Sequence, residues 1–198
     1  MRTKKAERPM QIDPNLPRCG WAHTEPELSY HDLEWGRAVH EDRHLFEMLI
    51  LEGAQAGLSW RTILLKRMHY RQVFAGFEPA KVARFTDSKL EKLLLDAGIV
   101  RNRLKVFAAR TNARIFLEIQ EEHRSFDRYL WGWVDRKPVM TRWTSYRDCP
   151  AKTPLSDVIS KDLKKRGMTF VGSTIIYAYL QAVGVVDDHE AGCWCAGK

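Results

Sequence analysis

No stretch of the 198 residues is apolar for long enough to cross a bilayer, which takes about 18 residues or more. The longest, Thr174 to Val186 (TIIYAYLQAVGVV), is shorter and carries Gln181, so it reads as a buried helix. Neither an internal repeat nor a low-complexity run is visible, which excludes solenoid and linker-like architectures. Cysteine is scarce at 4 residues, too few for a disulfide scaffold. With no signal peptide read at the start, a reducing, cytoplasmic setting is expected, where structural disulfides are rare. Acidic residues are outnumbered by basic ones, 25 to 32, giving a net charge of +7. That balance favours an anionic partner such as nucleic acid and no membrane.

What is present belongs to a globular protein: 44% hydrophobic and 11% aromatic residues, with 7 Trp. The length fits one domain able to bury a core without help from a metal. The opening MRTKKAER and the prolines of QIDPNLP read as a flexible basic tail over 1–17, ahead of a single domain over 18–198. Apolar residues recur at helical spacing. Leu45, Met48, Leu49 and Glu52 form one stripe, and Leu58, Ile63, Leu64, Val73 and Phe74 suggest a second helix or helix pair. Asp87 or Ser88 is placed to cap a helix carrying Leu90, Leu93 and Leu94, which Gly98 would end with a positive φ. A long helix is expected from Arg101 to Gln120, a Pro-rich crossing loop over 137–155, a helix capped by Ser156 and ended by Gly167, and a last helix from Thr174 to Gly184. The fold class predicted is all-α, with eight or more helices.

Three features point toward chemistry. Cys19 and His31 near one end, with His189 and Cys193 near the other, make a Cys2His2 set suited to zinc. His23 rivals His31, Cys195 rivals Cys193, and a Cys19–Cys193 disulfide is the competing arrangement. Secondly, Glu52 follows an apolar run in FEMLILEGAQAGLSW, where a carboxylate is partly desolvated unless paired. Tyr30, Trp35 and Trp60, with Trp21 beside Cys19, surround it in aromatic character. A carboxylate among π faces is what a cationic planar base would need, although a core role for the aromatics is the plainer alternative. Thirdly, in LLLDAGIVRNRLKVF one helix ends at Asp96-Ala97-Gly98 and another restarts with basic residues. Gly98, Arg101 and Arg103 could there hold a phosphate at a helix N-terminus, an ordinary αα-corner being the alternative. The basic runs, Arg110, Arg114 and Lys161 to Arg166 among them, read otherwise as solvated helix faces.

The segments CGWAHTEPELSYHDLEWG, FEMLILEGAQAGLSWRTILLKR, LLLDAGIVRNRLKV and LKKRGMTFVGSTIIYAYLQAVGVVDDHEAGC together resemble bacterial 3-methyladenine DNA glycosylase I, of the helix-hairpin-helix superfamily. The resemblance runs from about Arg18 to the last cysteines. It implies a two-lobed helical fold with one structural zinc at Cys19, His31, His189 and Cys193, leaving His23 and Cys195 outside the ligand set. Tyr30, Glu52 and Trp60 would be catalytic, and Trp21 and Trp35 would line or support the base pocket. Leu58 is a candidate wedge into the duplex, with a core leucine as the alternative, and Thr174 with Ser173 could hold a phosphate or border the pocket. Ala54 departs from the resemblance, which has Gln there. The expected function is hydrolytic release of 3-methyladenine from alkylated double-stranded DNA by a monomeric enzyme. Lyase chemistry is not expected, since the hairpin is read as lacking a Lys to form a Schiff base. The alternatives are a non-catalytic, zinc-stabilised DNA-damage-binding module and a helical protein-interaction module.

Overall fold

Nearly every side chain from Leu45 to Ala54 is buried, and this run forms the helix around which the others pack. The computed structural model describes residue 13 and residues 15–197, so most of the expected 1–17 tail lies outside the described residues. Among the latter there are nine α-helices: α1 (Glu27–Leu33), α2 (Asp42–Gln55), α3 (Trp60–Val73), α4 (Pro79–Val82), α5 (Asp87–Leu93), α6 (Arg103–His123), α7 (Phe126–Gly132), α8 (Pro154–Lys165) and α9 (Ser173–Ala182). The central α2 packs against α3, α6, α7 and α9. A helix buried on all sides has no polar face to spare, so each charged residue on it needs a partner or a purpose.

The all-α expectation holds with one small addition. β1 (Val139–Met140) and β2 (Val186–Asp187) pair in parallel, Val139 opposite Val186 and Met140 opposite Asp187. Two-residue strands carry no readable alternation. The pairing lays the 137–155 crossing segment beside the chain's last residues.

Several boundaries move for reasons of capping. Thr86, rather than Asp87 or Ser88, starts α5: its Oγ1 accepts from Lys89 N at 3.2 Å. Thr153 caps α8 with Pro154 behind it, and Ser156 is the returning half of a capping box. The long helix starts at Arg103 because Asn102 Oδ1 accepts from Lys105 N. Leu58 lies outside α3, on the turn before its cap, Ser59.

Gly98 is corrected most. Its φ is not positive, and α5 ends before it. What requires glycine is close approach: a Cβ there would stand 2.1 Å from the His69 ring. The turn between α5 and α6 is fastened to α3, with His69 Nε2 2.8 Å from Asp96 Oδ2, Lys66 Nζ donating to Ala97 O at 2.6 Å and Val100 N donating to Tyr70 Oη at 3.0 Å.

Candidate active site and metal cluster

Two glutamates of α2 are buried, and their surroundings differ. Glu47 accepts from Arg67 Nε at 2.6 Å and Arg71 Nε at 2.8 Å, and Arg67 also reaches Glu34 at 2.7 Å. Glu52, 4% exposed, has no hydrogen bond or ion pair among the described residues. Burial alone pushes its carboxyl up to about 8, so in the free protein it is largely uncharged at neutral pH. A buried carboxyl with no partner is costly, and its persistence needs an explanation outside folding.

The explanation lies in what it faces. Glu52 lines a cavity of about 390 Å³ together with Trp21, Tyr30, Trp35 and Trp60. Tyr30 Oη and Trp60 Nε1 are likewise buried without a hydrogen-bond partner. Tyr30 sits with its ring 5.3 Å from that of Trp60 and 6.3 Å from that of Trp21; Trp21 in turn meets Trp35 edge-on at 5.1 Å. Burial raises the Tyr30 phenol well above its ordinary value and keeps it protonated, and at the alkaline pH where Glu52 is ionised that charge raises it further. Three unsatisfied polar groups, two of them on indole or phenol rings, thus converge in one aromatic cavity of ligand size.

Of the opposite wall only Thr174 was expected at the pocket's border; its other residues were missed. Thr174, Tyr177, Ala178 and Gln181 of α9, with Tyr146 and Cys149 of the crossing segment and Asp188, complete the lining. The spacing 174, 177, 178, 181 is one helical face, so anchoring it on Thr174 was the available signal. Asp188 ties this wall together, accepting from Gln181 Nε2 at 2.6 Å, Trp143 Nε1 at 2.9 Å, and the hydroxyls of Tyr177 and Thr141.

The residues expected to meet DNA fall in three places: Thr174 in the cavity lining, Leu58 on the α2–α3 turn, and Gly98, Arg101 and Arg103 between α5 and the start of α6. Leu58 is 42% exposed on the α2–α3 turn, which removes the core-leucine alternative. Arg101 is exposed and has no ion pair among the described residues, whereas Arg103 is paired with Glu91 and lies over the Phe107 ring at 4.5 Å. Arg110 and Arg114 are spent on Asp87 and on the carbonyls of Phe85 and Ala83, and Arg166 on Glu122 and Asp162. The turn does lead into a lysine. Lys105, in the first turn of α6, is committed elsewhere, its ammonium donating to Ala54 O at 2.8 Å and Ala56 O at 2.6 Å.

Behind the aromatic wall stands the Cys/His cluster. Donor atoms of Cys19, His31 and Cys193 lie within 4.8 Å of one another, as do those of His189, Cys193 and Cys195, all buried. His23 is exposed and outside both groups among the described residues. Each histidine has its Nδ1 occupied by a carboxylate, His31 by Asp32 at 2.8 Å and His189 by Asp187 at 2.6 Å. The His189 Nε2 is buried and unpartnered. Cys19 and Cys195 both hydrogen-bond toward the Cys193 thiol, lowering it toward the thiolate. All four cysteines are free, and the Cys19–Cys193 disulfide is not formed. Carboxylate-backed imidazoles with one nitrogen left over, beside thiols, are a metal-ligand arrangement. Cys195 lies in the same cluster, its thiol near those of the expected ligands.

The methyladenine glycosylase family model matches residues 21–196. DNA-3-methyladenine glycosylase 1 of Escherichia coli (strain K12) is 45% identical over 181 residues, covering 91% of this chain and 97% of the relative. A crystal structure of 3-methyladenine DNA glycosylase I superposes with a TM-score of 0.88 at 45% identity, covering 91% of this chain and 100% of that one. The 3-methyladenine DNA glycosylase I of Staphylococcus aureus, solved for its recognition of 3-methyladenine, superposes with a TM-score of 0.88 at 35% identity, over 91% of this chain and 97% of that one.

Proposed function

The chain belongs to the methyladenine glycosylase family, and from that premise we propose that its aromatic cavity receives an N3-methylated adenine turned out of DNA, with Glu52, Tyr30 and Trp60 holding it. The enzyme releases 3-methyladenine from alkylated DNA, a step of base excision repair. The observation that carries the site assignment is a Glu52 carboxyl with no hydrogen bond or ion pair among the described residues, beside the buried, unpartnered Tyr30 hydroxyl and Trp60 indole N–H around one cavity.

Methylation at N3 makes the adenine cationic, so its departure is already favoured. Water attacks the sugar C1′, the C1′–N9 bond breaks with its electron pair going to the base, and the base leaves neutral; the proton of the attacking water passes to solvent. No strong general acid is needed. Much of the work is turning out the nucleotide, which costs roughly a few kcal/mol and less for a damaged base. A cation beside Glu52 reverses the effect of burial: the carboxyl ionises and accepts the base's N–H groups. Trp60 stacks on the ring, while the Trp21–Trp35 pair backs the cavity. Leu58 fills the gap left in a duplex, and Gly98, Arg101, Arg103 and Thr174 hold its backbone. The α5–α6 unit serves as a helix-hairpin-helix element. Lys105 is held on two carbonyls, in keeping with hydrolysis without a lyase step.

Cys19, His31, His189 and Cys193 suit one zinc ion, with Asp32 and Asp187 orienting the imidazoles. Such an ion would be structural, supplying a cross-link between the chain's two ends rather than an activated water. The deciding experiment is chromatographic identification of bases freed from methylated DNA. We expect 3-methyladenine from the wild-type protein and at least about 100-fold less from Glu52→Gln and Trp60→Ala; wild-type release from both would remove this site assignment. Binding of methylated DNA without any release would instead select a non-catalytic damage-binding module.

A further inference from the structure

The geometry points to Lys105 as a positioning residue that locks the α2–α3 turn, and with it Leu58, to the first turn of α6. This inference rests on the reading of Leu58 as the residue that enters the duplex. α2 ends at Gln55 without a basic residue in its last turn, and Ala56, beyond it, has non-helical angles and makes no capping bond from its N–H back into the helix. Carbonyls at a helix C-terminus left in that state need a donor. Lys105 supplies it from a different helix, bonding Ala54 O at 2.8 Å and Ala56 O at 2.6 Å, and bracketing the residue between them. Lys105 also lines a small cavity with Gly53, Ala54 and Ala108.

Three functional parts meet at this one side chain. Its backbone N–H is bound by Asn102, the cap of α6, where Arg101 and Arg103 flank the turn. Its ammonium ends α2 only two residues beyond Glu52 and two before Leu58. The turn itself has little else to hold it: Leu58 N donates to Gln55 O at 2.6 Å, and Ala56 to Ser59 are partly or fully exposed. A phosphate docked at α6 and a leucine entering the duplex would therefore be kept in register by Lys105. Charge-assisted bonds to two carbonyls are stiffer than neutral ones, which suits a part that must push into stacked DNA.

The test is Lys105→Met, which keeps the stem and removes the donors, assayed on a methylated duplex alongside Lys105→Arg, Leu58→Ala and the Lys105→Met/Leu58→Ala double variant. We expect turnover on the duplex to fall at least tenfold in Lys105→Met, to recover to within about threefold in Lys105→Arg, and to be no lower in the double variant than in Leu58→Ala. Binding of free 3-methyladenine, measured calorimetrically, should change less than twofold, because the cavity is intact; a merely structural lysine would lower it. Should Lys105→Met fold poorly, Lys105→Gln, which keeps a donor, should show an intermediate loss. Full turnover in Lys105→Met, or losses that multiply in the double variant, would overturn the proposal. Absence of release by the wild-type protein would instead overturn the glycosylase reading itself.

Discussion

Glu52 makes the protein less stable than it could be. Its carboxyl has an ordinary pKa of 4.5 and stands at about 8 in the fold. A folded value above the unfolded one means that stability is full below about 4.5 and is lost as pH rises toward about 8, because the unfolded chain ionises freely and the folded one does not. At about 1.4 kcal/mol per unit, the loss is on the order of a few kcal/mol. Glu52→Gln should therefore melt higher than wild type, by a margin that widens between pH 5 and pH 8, while losing base release; a margin that stays flat in calorimetry would contradict burial as the cause. Glu47, by contrast, is paired with Arg67 and Arg71. Both glutamates stand on the same apolar stretch of sequence, and nothing local tells them apart. Arg67 and Arg71 are brought to Glu47 by the packing of α3 on α2.

At the level of elements, the α5–α6 turn is built by α3 as much as by its own residues. Gly98 is needed because the His69 ring occupies the place of a Cβ. Gly98→Ala should push His69 off Asp96 and lower stability by about 1–3 kcal/mol, and His69→Ala in the same chain should restore most of that; no recovery in thermal melts would mean that the strain lies elsewhere. The two arginines of the turn should behave differently on DNA. Arg101→Ala should reduce the salt slope of binding by about 1, and Arg103→Ala by less, since Glu91 already holds it. Equal slopes would show that the Glu91 pair yields to phosphate. The helices themselves were legible: stripes of Leu, Ile and Phe at helical spacing located α2, α3, α5, α6, α8 and α9 to within a few residues. Caps were less so, because Thr86 and Thr153 compete with equally good neighbours, and only backbone geometry selects among them.

For the whole molecule, the question is what joins the ends. Trp194 N donates to Pro17 O at 2.9 Å, and Glu190 Oε1 accepts from Gly20 N at 3.1 Å and Tyr146 N at 2.7 Å, around the Cys/His cluster. Trp35 stands 4.6 Å from His189 and Trp21 5.4 Å from His31, so the cluster and the cavity share their aromatic wall. Metal analysis should give one zinc per chain, and chelation should lower the melting temperature and shift tryptophan emission together. Cys19→Ser or His189→Ala should lose the metal; stoichiometric zinc in both would contradict the ligand set, with Cys195 the nearest substitute donor. Composition and periodicity are local properties, and they suffice for the helical class, the carboxylate among aromatics, the basic excess and the paired half-sites at the two ends. They do not reach the facts that Glu52 is unpartnered while Glu47 is not, that Gly98 serves a contact, that Lys105 is committed to α2, and that α9 and Asp188 form the far wall. Those are matters of which distant side chains arrive at one place, and that is set by how helices pack against one another rather than by any spacing along the chain.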